Sequence, residues 1–120
     1  MKPAAIAGQL RVRVRFDMLV ETPDPAGGSS KVWEEQFTHW AAIKPLRGGE
    51  DVQAQRLQGL QPVLIVVRKD SQTKAIEPSW RAVELLSGVA IRYYALKTAE
   101  DMERQNRFIT MLAVSGAADS

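Results

Sequence analysis

The chain has no cysteine. That excludes disulfides, thiolate metal sites and cysteine nucleophiles. It has one histidine, His39, so no second imidazole exists to build a histidine metal site. A lone histidine beside Trp40 reads as a packed or solvent-facing sheet residue, and no chemistry is assigned to it. The serines fall in loops and at the C-terminal end, outside any nucleophile-elbow pattern. Long hydrophobic runs are missing too. The longest spans residues 63–67, far short of a membrane-spanning helix, and no membrane association is expected. The first eight residues carry one lysine and a few apolar side chains before Arg11, too short and too soon interrupted for a signal peptide. Charge of one sign is also lacking. A formal net charge of +2 does not by itself call for nucleic acid, which requires a basic stripe or patch.

The carboxylates form no acid–base pair. Glu34 and Glu35 are sequence neighbours and point to opposite faces of a strand. Glu50 and Asp51 suit a helix start. Gly27-Gly28 is followed by a strand pattern and carries no GxxxxGK[ST] signature, so it is no phosphate loop. Neither an enzyme nor a cofactor is expected, and no metal site.

What is present is β-sheet patterning at a length that suits a single domain over residues 1–120. Residues 10–18 alternate: Leu10, Val12, Val14, Phe16 and Met18 on one face, Arg11, Arg13, Arg15 and Asp17 on the other. This is the period-two signature of a half-buried strand. Residues 21–30, rich in Pro, Gly and Ser, read as a mobile loop. Residues 31–43 read as a second strand with a bulge or bend near Thr38, because the apolar parity is interrupted there. Residues 62–69 are a dense β-branched run, expected to be a central strand buried on both faces. Residues 70–74 form a polar turn tip, and 75–79 a short extended piece. Strands are expected over 80–86, 89–97 and 107–114, with Ser87-Gly88 as a tight turn. Residues 98–106 are a charged connection able to hold one helical turn, with Glu100 and Arg104 four apart.

One helix is expected, over residues 50–58. Pro45 ends the preceding strand, Gly48 and Gly49 supply a joint, Glu50 and Asp51 lead, and Gly59 fits the position just past the helix. At this length it is marginal alone and must be held by packing or ordered on assembly. The tally is mainly β: a small antiparallel β-barrel or sandwich of about six strands, with one short helix inserted between the second and third. The barrel is expected over 10–114, with a flexible N-terminus over 1–8 and a frayed tail over 115–120. Trp33, Trp40 and Trp80 read as core or core-edge anchors, with a subunit interface as their second reading.

Several of these residues carry a family resemblance. Gly8 precedes a basic alternating strand; a Gly-rich loop, Trp33, Trp40-Ala41-Ala42-Ile43-Lys44-Pro45 and Gly49-Glu50 follow. Then come a Val-rich strand ending in Arg68, Ile76, Gly88, Tyr94-x-Leu96 and a hydrophobic last strand after Arg107. Together they resemble the head–tail joining (head-closure or stopper) proteins of tailed bacteriophages, including prophage and gene-transfer-particle relatives. Lys69 stands after Arg68 where family members often place an aromatic, and Ser115-Gly116 where an acidic residue is often seen.

The resemblance implies a small β-barrel without catalytic residues or cofactor. It implies a homo-oligomeric ring of six or twelve copies, arranged head to tail and closing by rotation. The portal or head–tail adaptor lies above such a ring, the tail terminator or another tail protein below it, and packaged double-stranded DNA, held without sequence specificity, in the channel. The location it implies is the neck of a virion or phage-like particle, assembled in the bacterial cytoplasm. The segment expected to face the assembly or the channel is residues 46–59, through Arg47, Gly48, Gly49, Glu50, Asp51 and Gln55. Loop contacts are expected at Asp24, Lys69, Asp70 and Lys74. The competing reading is an OB-like barrel that binds nucleic acid through Arg11, Arg13 and Arg15. No aromatic lies among these three along their own strand, so a base-stacking platform is poorly supported from sequence.

Overall fold

Six strands pair in the order β1-β2-β3-β6-β5-β4, and β4 returns to β1 to close a barrel. They are β1 (Val12–Pro23), β2 (Ser29–Pro45), β3 (Gln61–Arg68), β4 (Arg81–Leu86), β5 (Val89–Leu96) and β6 (Phe108–Ser115). One helix, α1 (Glu50–Leu57), lies between β2 and β3. The computed structural model describes residues 10–99 and 107–116. The expectations for residues 1–8, for Glu100 and Arg104, and for 117–120 lie outside them.

Every strand pair is antiparallel, and the short β1–β2 and β4–β5 connections allow only that arrangement for their strands. The alternation of β1 does what its pattern dictates: Val14 and Phe16 are fully buried. They meet Ala41, Ile65, Val67, Ala82, Tyr94 and Met111 in the barrel interior. β3 is buried along most of its length on both faces, because a second, smaller cluster of Ala42, Val66 and Phe108, with Leu10 against it, covers its outer side.

Two register shifts shape the sheet. Phe16 pairs with Phe37 but Asp17 pairs with Glu35, so Gln36 is the extra residue of β2. The bulge expected near Thr38 therefore sits at Gln36. It reverses parity along the strand: Phe37 joins the core, while Trp33, of the same sequence parity, faces out with Leu19 and Asp17. A second shift leaves Ile91 unmatched between Arg92 and Ala90. The Ser87-Gly88 turn has φ of 53° and 81°, the doubly left-handed geometry that suits the twist of a two-residue hairpin.

Several expected boundaries move. β1 and β2 run five and two residues further into the Pro/Gly-rich segment than their apolar patterns reach, so half of the expected loop 21–30 is paired hairpin. Only residues 24–28 form the turn, where the Asp24 N–H donates to the Gly28 carbonyl at 2.8 Å and the Ala26 N–H to Asp24 Oδ1 at 3.0 Å. Residues 75–79 are not an extended piece; Thr73–Ala75 is a single 3-10 turn. β6 continues through Ser115, which is buried and pairs with Gln61 and Tyr94. The tail therefore does not begin at that residue.

Candidate assembly surfaces

α1 is held at its ends and not by its faces. Gly49 takes φ 89° at the N-cap position, a left-handed value that favours glycine. At the other end the Gly59 N–H donates to the Arg56 carbonyl and the Leu60 N–H to the Gln55 carbonyl, at 3.0 and 2.9 Å. With Gly59 at φ 83°, this is a complete Schellman closure. The segment's roots are stitched together: the Leu46 N–H donates to the Pro62 carbonyl at 3.0 Å, and Gln61 Nε2 donates to the Leu46 carbonyl at 3.1 Å. Between these anchors no residue of the helix is buried. Leu57 is 90% exposed, and Arg47, Gly48, Gly49, Glu50 and Asp51 are all exposed, with Gln55 half-buried. The sequence-predicted segment is thus a formed protrusion anchored at its ends.

The arginines of β1 divide into two settings. Arg15 donates from Nε to Asp17 Oδ1 at 2.9 Å, and Arg81 donates from Nε to Asp17 Oδ2 at 2.7 Å. Asp17 is buried under this pair, and Arg81 is itself flanked by the Trp33 and Tyr93 rings at 4.7 and 4.9 Å. Arg13 instead lies 4.8 Å over the Trp40 ring. The sequence places no aromatic among the arginines, but the neighbouring strand supplies one; Arg13 pairs with Trp40 across β1 and β2. Trp40 is half exposed and so is no barrel anchor. Trp80 does anchor the core, packed 6.1 Å from Phe37. Its buried Nε1 has no partner among the described residues.

Around Trp40 lies an open groove of about 480 Å³, lined by Leu10, Arg11, His39, Trp40 and Arg68. Arg68 also stacks 5.6 Å from the Phe108 ring. His39, given no role from sequence, bridges two elements. Its Nδ1 faces the Trp40 carbonyl at 3.1 Å and its Nε2 faces Asp70 Oδ2 at 2.7 Å. Both partners are acceptors, so the ring donates to both only when it carries both protons.

The 70–74 turn is built, not loose. Asp70 Oδ1 accepts from the Gln72 and Thr73 N–H groups at 2.9 and 2.8 Å. The Thr73 hydroxyl donates to the Arg68 carbonyl at 2.7 Å. Burial works to raise the Asp70 carboxyl, but the Thr73 N–H, His39 and the Gln72 N–H outweigh it and hold it below its ordinary value. Of the expected loop contacts, Asp24, Asp70 and Lys74 are exposed and Lys69 is half-buried. Asp24 lies at the hairpin tip, remote in the topology from the other three.

At the opposite mouth of the barrel, Tyr94 donates to Glu84 Oε1 at 2.8 Å, and Arg92 approaches the same oxygen at 3.4 Å. Burial, and then the bond to the carboxylate, push the Tyr94 phenol up to about 12 against the opposing influence of Arg92. Among the described residues no group of three or more His, Cys, Asp or Glu is placed to hold a metal ion, and no helix is long and apolar enough to cross a membrane.

These features define a class: a small closed β-barrel that carries a protruding hairpin, a tethered helix and a basic aromatic groove. The family model of the phage head completion proteins matches residues 6–116, and the chain belongs to that family. It is a structural family, with a role at the phage head–tail junction. No curated protein sequence matches the chain. Among solved structures, protein SF1141 from Shigella flexneri 2a superposes with a TM-score of 0.69 at 20% identity, over 92% of this chain and 96% of that one. A chain from the virion of a native gene transfer agent particle superposes with a TM-score of 0.59 at 21% identity, over 90% and 98%. At these identities the likeness is one of fold.

Proposed function

We propose that this chain is a head-closure ring component, joining the portal or adaptor complex to the tail and retaining packaged DNA. In this reading six or twelve copies close head to tail in the particle neck after assembly in the bacterial cytoplasm. The 46–59 segment is the part that meets a neighbour or enters the channel. The observation that carries this role for the segment is the state of α1: a helix closed at its C-terminus by a full Schellman motif, yet with no buried residue and with Leu57 90% exposed. An isolated eight-residue helix has little intrinsic stability, and leaving an apolar side chain in water forgoes roughly 1.5–3 kcal/mol of burial. A helix kept in this form suits a surface that is completed on assembly.

The test is negative-stain microscopy of the purified chain mixed with its portal complex. A ring of added density on the tail-proximal face is expected. Portal particles unchanged at saturating chain would contradict the reading.

A further inference from the structure

β1 pairs with β4 only as far as Asp17, and β2 pairs with β3 only from Ala41. Residues 18–23 and 29–35 therefore pair only with each other and form a two-stranded ribbon beyond the barrel. Such a ribbon is marginal in water unless one face is covered. One face carries Met18, Val20, Val32 and Glu34, with Val20 opposite Val32 and Met18 opposite Glu34. Val32 is 53% exposed. The ribbon is acidic: Glu21, Asp24, Glu34 and Glu35 against Lys31 alone.

The groove around Trp40 has the complementary character. Arg11, Arg13 and Arg68 stand around an indole that is 50% exposed, and among the described residues no carboxylate lines the groove. Both surfaces belong to the same chain and are not the same patch. A contact between them is therefore heterologous, the kind that generates a ring when the rotation closes.

We infer that the acidic 18–35 ribbon of one copy docks in the Arg13–Trp40–Arg68 groove of the next, with Val20 and Val32 covering the indole and Glu34 meeting the arginines. This rests on the reading of the chain as a ring component and names the surfaces that close the ring. Duplex DNA suits the groove's charge, but it leaves Val32 uncovered and is repelled by the ribbon.

The absence of cysteine makes the test direct. The chain carrying Val32→Cys and Arg11→Cys together, which leaves the Trp40 indole in place at the groove that Arg11 lines, is treated with a short bismaleimide over rising concentration up to the solubility limit. A ladder of covalent multimers beyond the dimer is expected, with the single variants stopping at dimer or monomer. Glu34→Arg alone and Arg13→Glu alone should each raise the concentration needed for the ladder about fivefold, and the two reversals combined should restore it. Light scattering of the two reversals on the cysteine-free chain reads the same pattern without a cross-linker. Monomer at every concentration overturns the inference, as does loss of duplex DNA binding in Arg13→Glu without any effect on self-association. A ladder together with portal complexes that never acquire the chain leaves the ribbon contact standing and removes the ring-component role. Portal complexes that acquire a chain unable to form the ladder do the reverse.

Discussion

The Asp17 carboxylate and the Arg81 guanidinium meet at 2.7 Å across the β1–β4 seam that closes the barrel. Asp17 is only 1% exposed and also takes two bonds from Arg15. Removing the acid leaves two arginines facing each other without the carboxylate that bonds both, with only the charge of Glu35 acting on Arg15. Breaking a buried pair from one side costs about 3–5 kcal/mol. Asp17→Ala should lose stability of about that size in urea unfolding. Arg81→Lys should also destabilise, because an ammonium does not reproduce the planar stacking between Trp33 and Tyr93.

The Asp70 turn gives a prediction in acid. Its carboxyl is held below the ordinary value in the fold, so the stability it contributes is present above the unfolded value near pH 4 and is lost as pH falls through the folded value. Thermal unfolding of the wild type should therefore show a drop below about pH 4 that is smaller in Asp70→Asn. At neutral pH Asp70→Ala should cost about 1 kcal/mol, the usual loss when a capping acceptor is removed.

The alkaline side belongs to Tyr94. Its phenol is raised to about 12. A raised value means full stability below the unfolded value near pH 10 and loss as pH rises from there toward 12. Absorbance titration near 295 nm should show one late-ionising tyrosine, and Tyr94→Phe should lack that step. A Tyr94→Phe curve identical to wild type would refute the assignment.

Gly116 ties α1 to the barrel. A Cβ there would lie 2.5 Å from the Gly59 carbonyl oxygen, and the residue sits at φ +95°. Gly116→Ala must displace the helix C-terminus or strain its own backbone, at about 1–3 kcal/mol. Hydrogen exchange should speed up at Gly59 and Leu60 while the core strands β3 and β6 keep their protection.

Much of this architecture is legible in the sequence, because burial imposes period two on strands and glycine marks where the chain must turn left-handed. The alternation of Val12, Val14 and Phe16, the dense run of β3, the Ser87-Gly88 turn and Gly59 at the end of α1 all read through directly. The outward surfaces read less well. A single extra residue at Gln36 reverses which side Trp33 faces, and composition does not fix a bulge to the residue. The Arg13–Trp40 stack and the His39–Asp70 bridge join residues 27 and 31 positions apart, so only strand register brings them together. The ribbon was hidden because Pro, Gly and Ser at residues 21–30 mask the pairing of Thr22 with Ser30 and Pro23 with Ser29. The family resemblance, carried by Trp40-Ala41, Pro45 and Gly49-Glu50, is matched by the family assignment over residues 6–116.

In the proposed function residues 46–59 complete the head-closure surface that retains DNA, and this segment can be excised cleanly. Leu46 is already hydrogen-bonded to Gln61 and Pro62, so replacing residues 48–59 by a short Gly/Ser link should leave the barrel folded, as judged by circular dichroism and cooperative unfolding. The decisive measurement is the nuclease-resistant DNA content of particles assembled with that chain in place of the wild type. Folded protein in particles that have lost their DNA is expected. Folded protein in particles with full, nuclease-resistant DNA would contradict this role of the segment.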